Sequence, residues 1–329
     1  MTNQKRKFDN PLSAIRTAIA DIRDTTGLIE PSPENERLDG KTCLITGANS
    51  GLGLATATEL ARRGARLILA GRSGIPETAD KITQQTGNTE ISMELVDMSD
   101  RESIDALCDR LQEKDIQLDR VILNAGLMAP KAKASAQGFE TMLAVHFFGN
   151  YRLASRLITD GRLAKSDPNS PPRIIAVSSE AHRQADPIDI ASFGKFKPHS
   201  TSGAMTQYGH SKLALSLLAR HLSNEHKGLS ETPNIAVFHM CPGPVNSGIA
   251  KGAPALMRPL IGLLMKSFFP SPEKAAKPVV YLACSPDLDG KTGDYMHLMR
   301  FKDPSHAAMD DDAARALVAR ADELMAPTK

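Results

Sequence analysis

The feature that most constrains the fold is the apolar run Cys43-Leu44-Ile45, which ends in Thr46-Gly47-Ala48-Asn49-Ser50-Gly51-Leu52-Gly53. A buried strand that closes in a glycine turn and opens a helix makes a phosphate cradle. Glycines permit the tight turn and let backbone approach a pyrophosphate, which then sits at the positive helix N-terminus. A purely structural turn is the plain alternative, because three glycines at Gly-x-x-x-Gly-x-Gly spacing are common enough. Far downstream, Tyr208 and Lys212 form a Tyr-x-x-x-Lys pair. Together the two signals are far more specific than either alone.

From Thr42 onward, strand-type runs alternate with helical patterns. The strands expected are Thr42–Gly47, Arg66–Gly71, Ile91–Asp97, Arg120–Asn124, Arg173–Ser179, Asn234–Cys241 and Gly293–Leu298. Several are apolar almost throughout, as in a parallel sheet covered on both faces. Helices are expected over Leu52–Arg63, Asp100–Glu113, Phe139–Thr159, Met205–Glu225 and Pro272–Cys284. This alternation predicts an α/β doubly wound parallel sheet with right-handed crossovers, built as a single domain over residues 37–329.

Two segments lie outside that rhythm. In residues 1–36, Phe8, Leu12, Ile15, Ile19 and Ile22 form one helical stripe, an amphipathic extension. It is expected to pack on the body or on a second subunit, which admits a homodimer. Peripheral membrane contact is the alternative, disfavoured by Asp9, Asp21 and Asp24. The second segment, about 247–271, includes Leu256, Leu260, Leu263, Leu264, Phe268 and Phe269 and reads either as core or as a lid over a lipophilic substrate.

Composition removes other classes. A net charge of +2 gives no basic patch for nucleic acid. Cys43, Cys108, Cys241 and Cys284 are widely spaced, so buried reduced thiols are expected rather than disulfides or metal ligands. The N-terminus is polar and no stretch is apolar for the roughly 20 residues a membrane span needs. The cytoplasm is the expected compartment.

Tyr208 and Lys212, four residues apart, project from one helix face. A free phenol with a pKa of about 10 is a poor base at neutral pH. A nearby ammonium and a positively charged nicotinamide would favour the phenolate. Ser179 ends a strand at the carboxyl edge, where ligands of open α/β sheets bind. Its neighbour Ser178 is the competing candidate.

These residues, with Asp97-Met98, Asn124-Ala125-Gly126 and Pro242-Gly243-Pro244-Val245-Asn246-Ser247, closely resemble the short-chain dehydrogenase/reductase family from about Leu38 onward. Within it, Ser179-Glu180-Ala181-His182 and the tail through Ala313-Ala314-Arg315 resemble the retinol dehydrogenase-like and WW-domain-oxidoreductase-like branch, although the chain has no tryptophan and no WW-type module. The resemblance implies a Rossmann fold and a nicotinamide cofactor held by Gly47, Asn49, Ser50, Gly51, Leu52 and Gly53. Tyr208 would exchange the proton, Ser179 would hold the substrate oxygen, and Lys212 would lower the tyrosine pKa and hold the nicotinamide ribose. Asp97 and Met98 would lie near the adenine, Asn124, Ala125 and Gly126 would line the cleft, and Pro242, Gly243, Val245 and Ser247 would cover the nicotinamide.

One position departs from the family pattern. Its fourth catalytic residue, an asparagine, aligns with His146, with Asn150 one turn on. If His146 has inherited a proton relay, its protonation should alter activity between roughly pH 5.5 and 7.

At the end of the second strand, the position where an acidic group would select NAD is Gly71, and Arg72 follows it. A guanidinium there matches a 2′-phosphate, so NADP(H) is expected. The functional expectation is an NADP(H)-dependent carbonyl reductase or alcohol dehydrogenase acting on a lipophilic small molecule. The alternative is a catalytically weak nucleotide-binding scaffold.

Overall fold

A computed structural model describes residues 20, 24, 26–164, 170–227, 234–244 and 270–326. The amphipathic stripe, Val245, Ser247 and residues 247–269 of the expected lid lie outside the described residues.

The chain runs β1 (Thr42–Thr46), α1 (Gly51–Arg62), β2 (Arg66–Gly71), α2 (Ile75–Thr86), β3 (Ile91–Leu95), α3 (Arg101–Glu113) and β4 (Arg120–Leu123). Then come a short helix α4 (Thr141–Leu143), a π-helical turn (Ala144–Phe148), α5 (Gly149–Thr159), β5 (Arg173–Val177), α6 (Ala204–His226) and β6 (Ala236–Cys241). The chain continues through α7 (Pro272–Cys284), β7 (Tyr295–His297), β8 (Arg300–Phe301) and α8 (Asp311–Met325). The sheet order is β3-β2-β1-β4-β5-β6-β7-β8, with all pairs parallel except the final one. The order reverses between β1 and β4, which is where such sheets open a ligand crevice.

The period-2 alternation of each strand divides the core in two. Leu44, Ile68, Val121, Ile174 and Val237 face α3, α5, α6 and α8, whereas Cys43, Ile45, Leu67, Ile122, Ile175 and Phe238 face α1, α2 and α7. Every residue of β1, β4, β5 and β6 is buried. Full coverage of this kind explains the continuous apolarity of these strands.

Three elements differ from expectation. The expected helix Phe139–Thr159 starts at Thr141, capped by the Glu140 carboxylate on the Leu143 amide, and is interrupted by the π-helical turn. Helix α2, begun at the left-handed Gly74 with Pro76 in its first turn, rests on a short apolar face of Ala79 and Ile82 that sequence reading passed over. Helix α8 is built on Ala314, Leu317, Ala321 and Met325, a stripe half made of alanine. The described end of the extension is fastened to the body. Arg63 donates to the carbonyls of Ser32, Pro33 and Glu36, and Arg300 pairs with Asp24 at 2.7 Å. Ser271, at the end of the expected lid, caps α7 instead.

Candidate active site

The first wall of the crevice is the turn between β1 and α1. Gly47 adopts φ 68°, and a Cβ there would lie 2.9 Å from the Ala125 Cα, while one on Gly53 would lie 2.3 Å from the Gly47 carbonyl oxygen. Both positions therefore exclude side chains. The Asn124 amide donates to the carbonyls of Thr46 and Gly47, and Thr46 Oγ1 accepts from the amides of Asn124 and Ala125, both at 3.0 Å. Thus the two sides of the switch point are sewn together, with Thr46 a participant that the motif contained but sequence reasoning left unassigned. At α1, the cap residue Ser50 makes no side-chain bond and the first turn carries no acidic residue. Those amides suit an anion.

Asn49 donates to the Ser73 carbonyl at 2.9 Å, which pins this turn to the loop carrying Arg72. Arg72 and Asp97 approach only to 3.9 Å, and both are well exposed, so the pair is loose. Leu52 and Met98 have their side chains in the core, leaving only backbone for a ligand. Pro242 and Gly243 follow β6 at the same sheet edge.

The second wall brings Ser179, Tyr208 and Lys212 together. A Cβ on Gly209 would lie 2.7 Å from the Ala181 carbonyl oxygen, so α6 can press directly on the 3-10 turn Glu180–Gln184. Ser179 Oγ accepts from the Ala181 amide at 3.2 Å and lies close enough to Tyr208 to favour the ionised phenol. A hydroxyl that accepts from a backbone amide can still donate its own proton, so Ser179 suits an oxygen in the cleft. Ser178, the competing candidate, is buried and bound instead to the Lys212 carbonyl and Ser216.

The Lys212 ammonium sits 5.7 Å from the centre of the Tyr208 ring and donates to the Val177 carbonyl at 2.8 Å. Burial pushes Tyr208 up to about 12, with Cys241 adding to the rise and Ser179 opposing it. Burial also lowers Lys212 to about 8. In the protein alone, then, the tyrosine keeps its proton. The phenol-lowering influence expected of Lys212 is smaller than the desolvation of the cleft.

Sequence reasoning gave no role to the groups behind Ser179. His182 Nε2 accepts from the Ser305 amide at 2.9 Å, so its proton lies on Nδ1, which donates to the Ser179 carbonyl at 2.7 Å. Burial lowers His182 to about 4, keeping it neutral. The Glu180 carboxylate accepts from Tyr295, Lys302 and Arg183. Its burial would raise the carboxyl, but His297, Arg183 and Lys302 outweigh that and bring it to about 2. Both residues stand in the Ser-Glu-Ala-His segment, the signal that could have found them.

His146 is wholly buried on the π-helical turn, its ring edge-on to Tyr208 at 5.5 Å between centres. Nε2 accepts from the Leu127 amide at 3.0 Å, and Nδ1 lies 2.8 Å from Ser211 Oγ. Burial, then Lys212, holds its pKa well below the ordinary value. Both nitrogens are engaged in a dry site, which favours the neutral ring and runs against the protonation that the expected activity change requires.

A family model described as short chain dehydrogenase matches residues 41–255. Mouse retinol dehydrogenase 14 is 34% identical over 294 residues, covering 85% of this chain and 84% of the relative. A crystal structure of a Mycobacterium paratuberculosis protein superposes with a TM-score of 0.68 at 24% identity, covering 90% of this chain and 98% of that one. A Shigella flexneri short chain dehydrogenase complexed with NADP gives a TM-score of 0.61 at 22% identity, covering 80% and 99%.

Proposed function

The chain belongs to the short chain dehydrogenase family, and from that premise we propose that it is an NADP(H)-dependent oxidoreductase interconverting a carbonyl and an alcohol on a lipophilic small molecule. The observation that carries the reading is Ser179 beside Tyr208, with Lys212 behind them, at the carboxyl edge of the switch point.

The residues present fit the cofactor. The turn of Gly47, Asn49, Ser50, Gly51, Leu52 and Gly53 offers backbone amides where Cβ atoms are excluded, and Arg72 stands ready for a 2′-phosphate. Asp97, Asn124, Ala125, Gly126, Pro242 and Gly243 border the same crevice. When bound, the nicotinamide supplies or accepts the hydride. Ser179 holds the substrate oxygen, and Tyr208 exchanges its proton with that oxygen. A phenol held at about 12 is protonated at neutral pH, the state from which it would donate to a carbonyl oxygen. Lys212 contributes positive charge beside the ring and holds the nicotinamide ribose.

The lipophilic substrate is supported by likeness to a retinol dehydrogenase. Four buried free thiols suit a reducing cytoplasm. No helix among the described residues is long and apolar enough to cross a membrane.

The test is NADPH consumption with a panel of small and lipophilic ketones and aldehydes. Tyr208→Phe should lower turnover about 10²–10⁴-fold while NADPH affinity stays within a few-fold. Arg72→Ala should raise the KM for NADPH about 10–100-fold and leave that for NADH nearly unchanged, the worth of a charge-assisted contact. Cofactor binding without turnover on any carbonyl would instead favour a scaffold.

A further inference from the structure

The bonds around His146 run in one direction. The Leu127 N–H can only donate, so His146 Nε2, 3.0 Å away, is the unprotonated nitrogen. The neutral ring then carries its proton on Nδ1, facing Ser211 Oγ at 2.8 Å. Ser211 has one hydroxyl proton, and it points to the Tyr208 carbonyl oxygen at 2.8 Å. Each donor thus meets one acceptor, from the loop after β4 to the backbone of the tyrosine. We propose that His146 is a positioning residue that fixes Tyr208 of α6 to the Asn124–Leu127 segment through this chain of three one-way hydrogen bonds, and that it moves no proton itself. The inference rests on the catalytic reading of Tyr208.

Three further observations agree. Gly126 leaves room for the ring, since a Cβ there would lie 3.2 Å from Nε2. The ring is wholly buried and stands edge-on to the Tyr208 phenol. A second proton would set an Nε2–H against the Leu127 N–H, and the neighbouring charge, Lys212 on α6, repels it as well. An amide side chain could make the Leu127 contact, but the ring extends it to Ser211. The segment that lines the cofactor crevice and the residue that delivers the proton are therefore held in one register.

Two measurements test this on the full-length protein. Long-range proton–nitrogen spectra, with the His146 signal identified by its loss in His146→Asn, should show the Nδ1-protonated neutral tautomer throughout pH 5–8, with and without NADPH. This arm reads the inference even if no carbonyl substrate is found. In the second, His146→Leu and Ser211→Ala should each lower kcat about 10–100-fold with little change in NADPH affinity by nucleotide fluorescence. The double variant should be no slower than the slower single one, because both act through one chain. An Nε2-protonated or titrating ring, multiplying effects in the double variant, or wild-type kcat in both single variants would overturn the proposal.

Discussion

The two ends of the parallel sheet take ionisable side chains out of water to opposite effect. At the amino end, Arg120 and Arg173 are register neighbours on β4 and β5, each almost wholly buried. Arg120 donates to Ala283 and Pro171 carbonyls, and Arg173 to those of Leu282 and Ser285 and to the Asp289 carboxylate. These acceptors include the last carbonyls of α7, a negative helix end. Burial and Arg120 lower Arg173 only to about 10, so it stays charged. At the carboxyl end, Tyr208, His146, His182 and His239 meet few compensating charges, and burial holds them neutral. Acceptor supply, rather than depth, keeps the two arginines charged while Tyr208 and the three histidines stay neutral. One end is built to hold, the other to react.

Breaking the holding end should give the largest stability effect. Arg173→Met leaves buried carbonyls and a partly exposed carboxylate without their partner and should cost about 3 kcal/mol by denaturant unfolding. Turnover per folded molecule should not change; a loss of turnover would show that the two ends are coupled.

Acid titration sharpens the contrast at the reactive end. His182 and His297 have folded pKa values of about 4 and His239 of about 3, all below the unfolded value of 6.5. Between those limits the unfolded chain binds more protons, so stability should fall as pH drops from 6.5 toward 4. Each histidine contributes up to about 1.4 kcal/mol per pH unit. Glu180, lowered to about 2, acts in the lower window, losing its contribution from 4.5 downward. His239 Nε2 has no partner among the described residues, so His239→Phe should flatten the upper slope by about one such increment. An unchanged slope would mean that His239 is charged in the fold.

The smallest expected effect is a gain. Lys212 is lowered to about 8, so stability from this group rises with pH between 8 and 10.5 and is reduced at neutral pH. Lys212→Met should raise Tm at pH 7 by a few degrees, on the order of 1 kcal/mol, while removing turnover. A lower Tm would show that its bond to Val177 supports the fold.

Much of this was legible in the residues. Strands buried on both faces announce themselves through Leu44, Ile45, Ile174 and Ile175, and the glycine turn marks the switch point beside them. Helix α8 was not legible, because Ala314 and Ala321 bury themselves without standing out as apolar positions. The π-helical turn carries no periodic signature, since one misplaced carbonyl changes no residue type. The Ser179, Tyr208 and Lys212 grouping came from motif order. The state of His146 and the partners of Glu180 depend on Leu127, Ser211, Tyr295 and Lys302, which meet them only in the fold.

Helix α8 also sets a timetable. Leu317, Ala321 and Met325 close the core over α5 and α6, Asp311 pairs with Arg220 at 2.7 Å, and the Met325 carbonyl accepts from Arg101 at 3.3 Å. A nascent chain still threaded in the ribosome at residue 310 therefore carries an uncovered apolar face on the helix that bears Tyr208. At about 5–20 residues per second the exposure lasts seconds, during which chaperones have their opportunity to bind.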